Sequence, residues 1–199
     1  MTAIVVPFRG LNGKRRLAPA RDEARAALAL AMLADVLAAC GAVGRTVVVT
    51  GDEAARTVAV ELGVASLDDP GGGQGRAVEH ALALVPVAPA LVVNADVPCV
   101  VPDDLRALEA AIPPGGLALA PAADGTTNAL GLADPRLFRP LYGPCSAERF
   151  LALAGPAVTV EHPNVAHDVD TLEDLRRYEL RTGPRTQMAL AMAGLVPAT

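Results

Sequence analysis

Several features that would each mark a definite protein class are scarce or absent in this sequence. There are three cysteines, Cys40, Cys99 and Cys145, widely spaced and without a CxxC pair. Neither a zinc site nor a disulfide framework is indicated, and a reducing cytoplasm is the expected compartment. Long apolar runs are missing too. Residues 1–6 are too short for the apolar region of a signal peptide, and the stretch from Ala24 to Cys40 is broken by Arg25 and Asp35. That stretch reads as a core-facing helix and not as a membrane span. Positive charge is not in excess: 17 basic against 22 acidic residues give a net charge of −5, which argues against a general nucleic-acid binder. No repeat of fixed period stands out. Ser146 lacks a Gly-x-Ser-x-Gly elbow, and Gly13-Lys14 is followed by Arg15, so there is no Walker A motif. Gly71-x-Gly73-x-x-Arg76 lacks the third glycine of a dinucleotide fingerprint. Lysine is almost absent, and Lys14 is the single one. A phosphate-binding ammonium is one role in which a bulkier guanidinium is a poor substitute.

The 199 residues suit one domain, and 52% hydrophobic against 20% charged residues supply a substantial core. Apolar strands and amphipathic helices alternate. Strands are predicted at Ala3–Val6, Thr46–Thr50, Ala65–Leu67 and Ala90–Val93. Helices are predicted at about Ala20–Cys40, Glu53–Leu62, Arg76–Val85 and Asp103–Ala111, the last opened by Pro102. This order argues for an α/β fold with a mostly parallel central sheet covered by helices on both faces. The second half is less regular. Strands Leu117–Pro121 and Ala129–Leu132 flank a turn at Asp124–Asn128. A helix at Ser146–Ala154, a strand at Val158–Glu161 and a helix at Leu172–Arg181 follow. A single domain over residues 1–185 is expected, followed by a weakly amphipathic tail, 186–199, that packs on the core or frays.

Four stretches carry chemistry. The first strand breaks at Pro7 into a loop with Arg9, Lys14, Arg15 and Arg16, and with Arg21 five cations precede the first acid, Asp22. A strand, a glycine-containing loop with cations and then a helix can meet a phosphate; the alternative is a solvated basic loop. The second glycine-rich loop, Pro70 to Gly75, can bring backbone close to a ligand in front of a helix N-terminus, or be a plain surface loop. Asp96 follows the fourth strand, at the edge where ligands bind in open α/β sheets, although Asp-Val-Pro also suits a turn. Asp168 and Asp170 are two apart, so an extended segment puts both carboxylates on one face. Their repulsion calls for a cation, and Mg²⁺ with phosphates as co-ligands fits hard oxygen donors. The competing reading has Asp170 cap the next helix with Glu173 as its capping-box partner.

Taken together, these stretches resemble the CofC/FbiD family, the guanylyltransferases of coenzyme F420 biosynthesis. The resemblance runs from residue 4 to about 185. It is carried by Val6-Pro7-Phe8-Arg9 with Lys14-x-Arg16-Leu17-Ala18-Pro19, the Asp69–Gly75 loop and Ala95-Asp96-Val97-Pro98. It continues through Asp124–Leu130, Gly143-Pro144-x-Ser146 and Asp168-Val169-Asp170-Thr171-x-Glu173-Asp174-Leu175. It implies a single nucleotidyltransferase domain, Rossmann-like and related to GT-A glycosyltransferases. It also implies attack by the phosphate of a small phosphorylated carboxylic acid on GTP, with loss of pyrophosphate. Phosphoenolpyruvate is favoured, with 2-phospho-L-lactate and 3-phosphoglycerate next.

By the family pattern, Asp96, Asp168 and Asp170 hold Mg²⁺, and Lys14, Arg16 and Asp96 serve catalysis. Pro7, Arg9, Lys14, Gly73, Gln74 and Gly75 hold the nucleotide, while Thr127, Gly143 and Ser146 hold the acid. No nucleic-acid or membrane partner is implied. A homodimer is left open, and a labile product suggests hand-over to the next F420 pathway enzyme. Three positions depart from the pattern: Arg9 for a common lysine, Cys145 for a glycine, and Phe150 for a polar residue, often histidine. A Cβ at Cys145 is expected to reshape the acid pocket. The rival readings are a molybdopterin guanylyltransferase, whose Leu-Ala-Gly-Gly loop is absent, and a non-catalytic nucleotide-binding protein of the same fold.

Overall fold

A computed structural model describes residues 2–10, 22–153 and 155–195. In its first half, strands Ala3–Pro7 (β1), Arg45–Val49 (β2), Ala65–Leu67 (β3) and Ala90–Val93 (β4) alternate with helices Asp22–Gly41 (α1), Glu53–Glu61 (α2), Gln74–Leu84 (α3) and Pro102–Ala110 (α4). The second half holds Leu117–Pro121 (β5), Thr127–Leu132 (β6), Ser146–Leu151 (α5), Ala157–Thr159 (β7), Leu172–Tyr178 (α6) and Pro184–Met192 (α7). The strands form one seven-stranded sheet in the order β3-β2-β1-β4-β6-β5-β7. Only β6 runs against its neighbours, antiparallel to β4 and β5, whereas the other pairings are parallel.

Period-2 alternation feeds both faces of the sheet. Ile4 and Val6 join Val48, Leu91 and Val93 under α1, α2 and α4. Ala3 and Val5 join Val47, Val49, Ala90 and Val92 under α3 and α5. Strands buried on both sides have to be apolar throughout, and β1 and β4 are. Helix α1 is long and apolar enough to cross a bilayer, yet 56% of its most apolar window is buried inside the protein.

The second half departs from expectation where tertiary contacts outweigh local pattern. Strand β6 starts at Thr127, two residues earlier than predicted, so Thr127 and Asn128 are buried strand residues and not turn residues. The turn before it is closed by Asp124, which accepts from the Thr126 N–H (2.9 Å) and hydroxyl (2.7 Å). The predicted boundary at 185/186 falls inside α7, whose Thr186 and Leu190 are buried. Leu190 packs with Leu28 and Met32 of α1 and with Leu172 and Leu175 of α6. The buried Asp35 of α1 accepts from the backbone N–H groups of Arg185 (3.1 Å) and Thr186 (2.8 Å). A carboxylate 150 residues away thus caps α7 and offsets the positive end of its dipole.

Candidate active site

Three carboxylates meet at the carboxyl edge of the sheet. Asp96 lies three residues beyond β4, in a turn held from both flanks: Asp96 O accepts from Val169 N–H and Pro98 O from Gly183 N–H, both at 2.8 Å. Asp168 and Asp170 follow in the segment that the first of these bonds fixes. Val169 between them is fully buried against α1 and α6, which turns both flanking carboxylates the other way, as their spacing predicts. His167 stacks on Tyr178 of α6 with ring centroids 4.7 Å apart. One oxygen from each of Asp96, Asp168 and Asp170 lies within 4.8 Å of the others. At that distance two unit charges repel by roughly 3 kcal/mol at an effective dielectric of about 20. Burial first, and then the neighbouring Asp96, push the Asp168 carboxyl above its ordinary range. An all-oxygen donor set under mutual repulsion fits a hard divalent cation.

The competing reading, a cap at Asp170 with Glu173 as its partner, does not hold. Helix α6 is capped by Thr171, whose hydroxyl accepts from Asp174 N–H (3.1 Å), while Asp174 accepts from Thr171 N–H (2.8 Å). The capping box therefore begins one residue later than Asp170, which instead lines the cleft.

That cleft encloses about 180 Å³ and is lined by Pro7, Arg9, Gln74, Asn94, Asp96 and Asp170, among others. It brings together the first loop, the glycine-rich loop and two of the three acids. Arg9 is exposed at its rim. Gly73 is the N-cap of α3 with φ 97°, and no side chain caps the helix there, so its first N–H groups suit an anion. Gln74 lines the cleft and donates from Nε2 to Asn94 Oδ1 at 2.7 Å. Gly75 has a packing reason to be glycine, because a Cβ there would sit 2.7 Å from Pro140 Cβ. Lys14 and Arg16 lie outside the described residues. A larger hollow of about 510 Å³, between α3 and the turn at Pro135–Leu137, contains none of the predicted site residues.

Thr127 and Ser146 are brought together, although 19 residues apart. Ser146 Oγ donates to Thr127 Oγ1 at 3.1 Å, and both side chains are buried. Gly143 precedes Ser146 in the loop with φ 115°, a conformation that needs glycine, and Gly143 O accepts from Ser146 N–H. Cys145 takes the left-handed conformation (φ 55°, ψ 30°) despite its Cβ. The loop thus keeps a glycine-like backbone instead of being reshaped. Phe150 is fully buried and meets Tyr142 edge-on at 5.5 Å and Phe138 at 6.3 Å. It is an aromatic support under the loop, where a polar residue would be buried without water.

Sequence reasoning missed two residues of this site. Asn94 accepts from Gln74 and donates from Nδ2 to Thr127 O (3.1 Å) and Asn128 Oδ1 (3.3 Å). Asn128, 2% exposed, donates to Val165 O at 2.8 Å. A carboxamide at the edge of an otherwise apolar strand was the available signal, since a buried amide requires partners.

The chain matches the family described as guanylyl transferase CofC like over residues 2–178. Among its relatives, a phosphoenolpyruvate guanylyltransferase of Streptomyces avermitilis is 38% identical over 201 residues, covering 94% of this chain and 93% of the relative. One of Geodermatophilus obscurus with the same name is 34% identical over 203 residues, covering 96% and 94%. Two solved structures share the fold at lower identity. A putative nucleotide-diphospho-sugar transferase from Desulfovibrio desulfuricans has a TM-score of 0.77 at 16% identity, covering 98% of this chain and 96% of that one. A nucleotidyl transferase from Methanothermobacter has a TM-score of 0.64 at 16% identity, covering 96% and 99%. Matched over residues 2–178 and sharing 38% identity with a relative across most of both chains, the chain belongs to the CofC-like guanylyltransferase family.

Proposed function

We propose that this protein transfers the guanylyl group of GTP to the phosphate of phosphoenolpyruvate, releasing pyrophosphate, as a Mg²⁺-dependent step of coenzyme F420 biosynthesis. The observation that carries the reading is the triad Asp96, Asp168 and Asp170, with an oxygen of each within 4.8 Å of the others beside the cleft that Gln74 and Arg9 line. The relatives' shared name supports phosphoenolpyruvate as the acid.

In this reaction a phosphate oxygen of the acid forms a bond to the α-phosphorus of GTP. The bond from that phosphorus to the bridging oxygen breaks, and pyrophosphate leaves with the electron pair. The protein needs no side-chain nucleophile; it has to align anions and offset their repulsion. Asp96, Asp168 and Asp170 would hold Mg²⁺, which when bound would supply positive charge to offset that of the phosphates. In this reading the uncapped N–H groups at the start of α3 and Arg9, which lines the cleft, hold phosphate charge, and Lys14 and Arg16 are assigned the same role. The Thr127–Ser146 pair fixes the Gly143–Cys145 loop, whose backbone is the seat for the acid's carboxylate.

Pyrophosphate release tests this directly, with GTP, Mg²⁺ and phosphoenolpyruvate, 2-phospho-L-lactate or 3-phosphoglycerate in turn. Release with phosphoenolpyruvate alone, lost with ATP or a chelator, is expected. Release with another of the acids overturns the choice of acid. Release without any acid, or none with all three, overturns the reaction.

A further inference from the structure

We propose that Asn128 is a positioning residue for the metal-binding carboxylates: its side-chain amide fixes the segment that carries Asp168 and ties it to β4 and to the glycine-rich loop. The proposal rests on the reading of Asp96, Asp168 and Asp170 as a divalent-cation site.

The segment 165–170 has no ladder of its own in the sheet. Among the described residues it is held next to the site by Asp170 N–H to Asp174 Oδ2 at 3.2 Å, Val169 N–H to Asp96 O at 2.8 Å, Ala123 N–H to Ala166 O at 2.9 Å, and Asn128 Nδ2 to Val165 O at 2.8 Å. The last is made by a side chain from the central sheet. Asn128 is held in turn on its other side. Its Oδ1 accepts from Asn94 Nδ2 (3.3 Å), its backbone O accepts from Asn94 N–H (2.9 Å), and Asn94 Oδ1 accepts from Gln74 of the cleft (2.7 Å). The carboxamide has two donors and one acceptor oxygen. One donor goes to Val165 O, and the amide also donates toward Asp168. Rigid burial at 2% exposure means the amide cannot swing to other partners.

A hydroxyl in place of the amide would be too short for both contacts, and an aspartate would offer no donor and add a fourth negative charge. The carboxamide therefore suits two roles at once, pinning a backbone carbonyl and solvating a metal-binding carboxylate. Such outer partners of metal ligands set affinity as well as orientation.

Mn²⁺ titration followed by electron paramagnetic resonance, on the full chain without nucleotide or acid, gives a readout independent of turnover. The native protein should bind, and Asp96→Asn should not. Asn128→Leu, which keeps the branching of the side chain and removes every donor, should weaken Mn²⁺ binding about tenfold or more. Leu37→Ala, a core truncation in α1 matched for lost melting temperature, should bind within twofold of native. If Asn128→Leu does not fold, Asn128→Ser serves, with the same expected loss. Binding by the Asn128 variant within twofold of native overturns the proposal while leaving the metal site intact. Equal Mn²⁺ signals from the native protein and Asp96→Asn overturn the metal reading itself, and the role of Asn128 with it.

Discussion

Asp168 sits half-buried beside two other carboxylates, and in the metal-free protein its charge is unfavourable. Its carboxyl is raised above the ordinary value of 3.8, mainly by burial and then by Asp96. The unfolded chain therefore releases this proton first as pH rises. Between the ordinary and the raised value the folded state holds more protons, so this group's contribution to stability is present at lower pH and lost as pH climbs through the folded value. Asp168→Asn is accordingly expected to raise the metal-free melting temperature at neutral pH while abolishing pyrophosphate release. A melt and an activity assay on the same preparation check both halves. Cys145 makes a second case at this scale. A left-handed φ of 55° costs a non-glycine residue about 1 kcal/mol or more. Cys145→Gly should leave the melting temperature unchanged or raise it, because relief of strain outweighs or balances the added freedom of the unfolded chain. Cys145→Val should lower stability by about 1–2 kcal/mol, since a β-branched side chain tolerates that conformation worst.

Helix α7 shows how an element can depend on a residue far from it in sequence. Its N-cap, Gly183, has no side chain to offer, and a Cβ there would collide with the Asp35 carboxylate. The cap comes instead from Asp35 in α1, at 2.8 and 3.1 Å. Asp35→Ala should destabilise the protein by about 1–2 kcal/mol, and hydrogen exchange should show protection lost across α7 before β1 or β4. Gly183→Ala should act in the same direction by displacing Asp35. The aromatic support of the Gly143–Cys145 loop is another such element. Phe150→Ala should cost about 3–5 kcal/mol, the range for emptying a buried phenylalanine site, and denaturant melts would measure it.

On the scale of the whole molecule, the C-terminal helix closes one side of the fold. Leu190 covers Leu28 and Met32, and Gly183 N–H binds Pro98 O two residues from Asp96. A chain cut after Thr182 loses that cover, and its melting temperature should fall with added binding of an apolar dye. An unchanged melt would show that α7 contributes no stability. The same view explains why the site is where it is. β1 and β4 run parallel and end at one edge, while β6 runs the other way, so that its first residues, Thr127 and Asn128, arrive at that edge from the opposite direction. Fold and reaction chemistry thus converge on the carboxyl ends of the central strands.

Much of this is legible in the sequence where local physics suffices. β3, β4 and β5 fall where apolar runs and turn residues place them, and Asp168-Val169-Asp170 shows its alternation through a period of two. The motifs also flag Asp96, Asp170 and the glycine-rich loop, and Gln74 of that loop lines one cleft with the two acids. What the sequence could not decide depends on partners distant along the chain. Asn128 reads as a turn residue because turn composition is a local signal, whereas its burial comes from β4 and Val165. Asp35 reads as an interruption of an apolar helix because its partners lie 150 residues on. Phe150 reads as a departure because the aromatic rings that receive it meet only in the folded chain. The sequence alone determined the alternating elements and the reactive groups. The tertiary structure decided which buried polar groups find partners, since that depends on long-range contacts and not on local pattern.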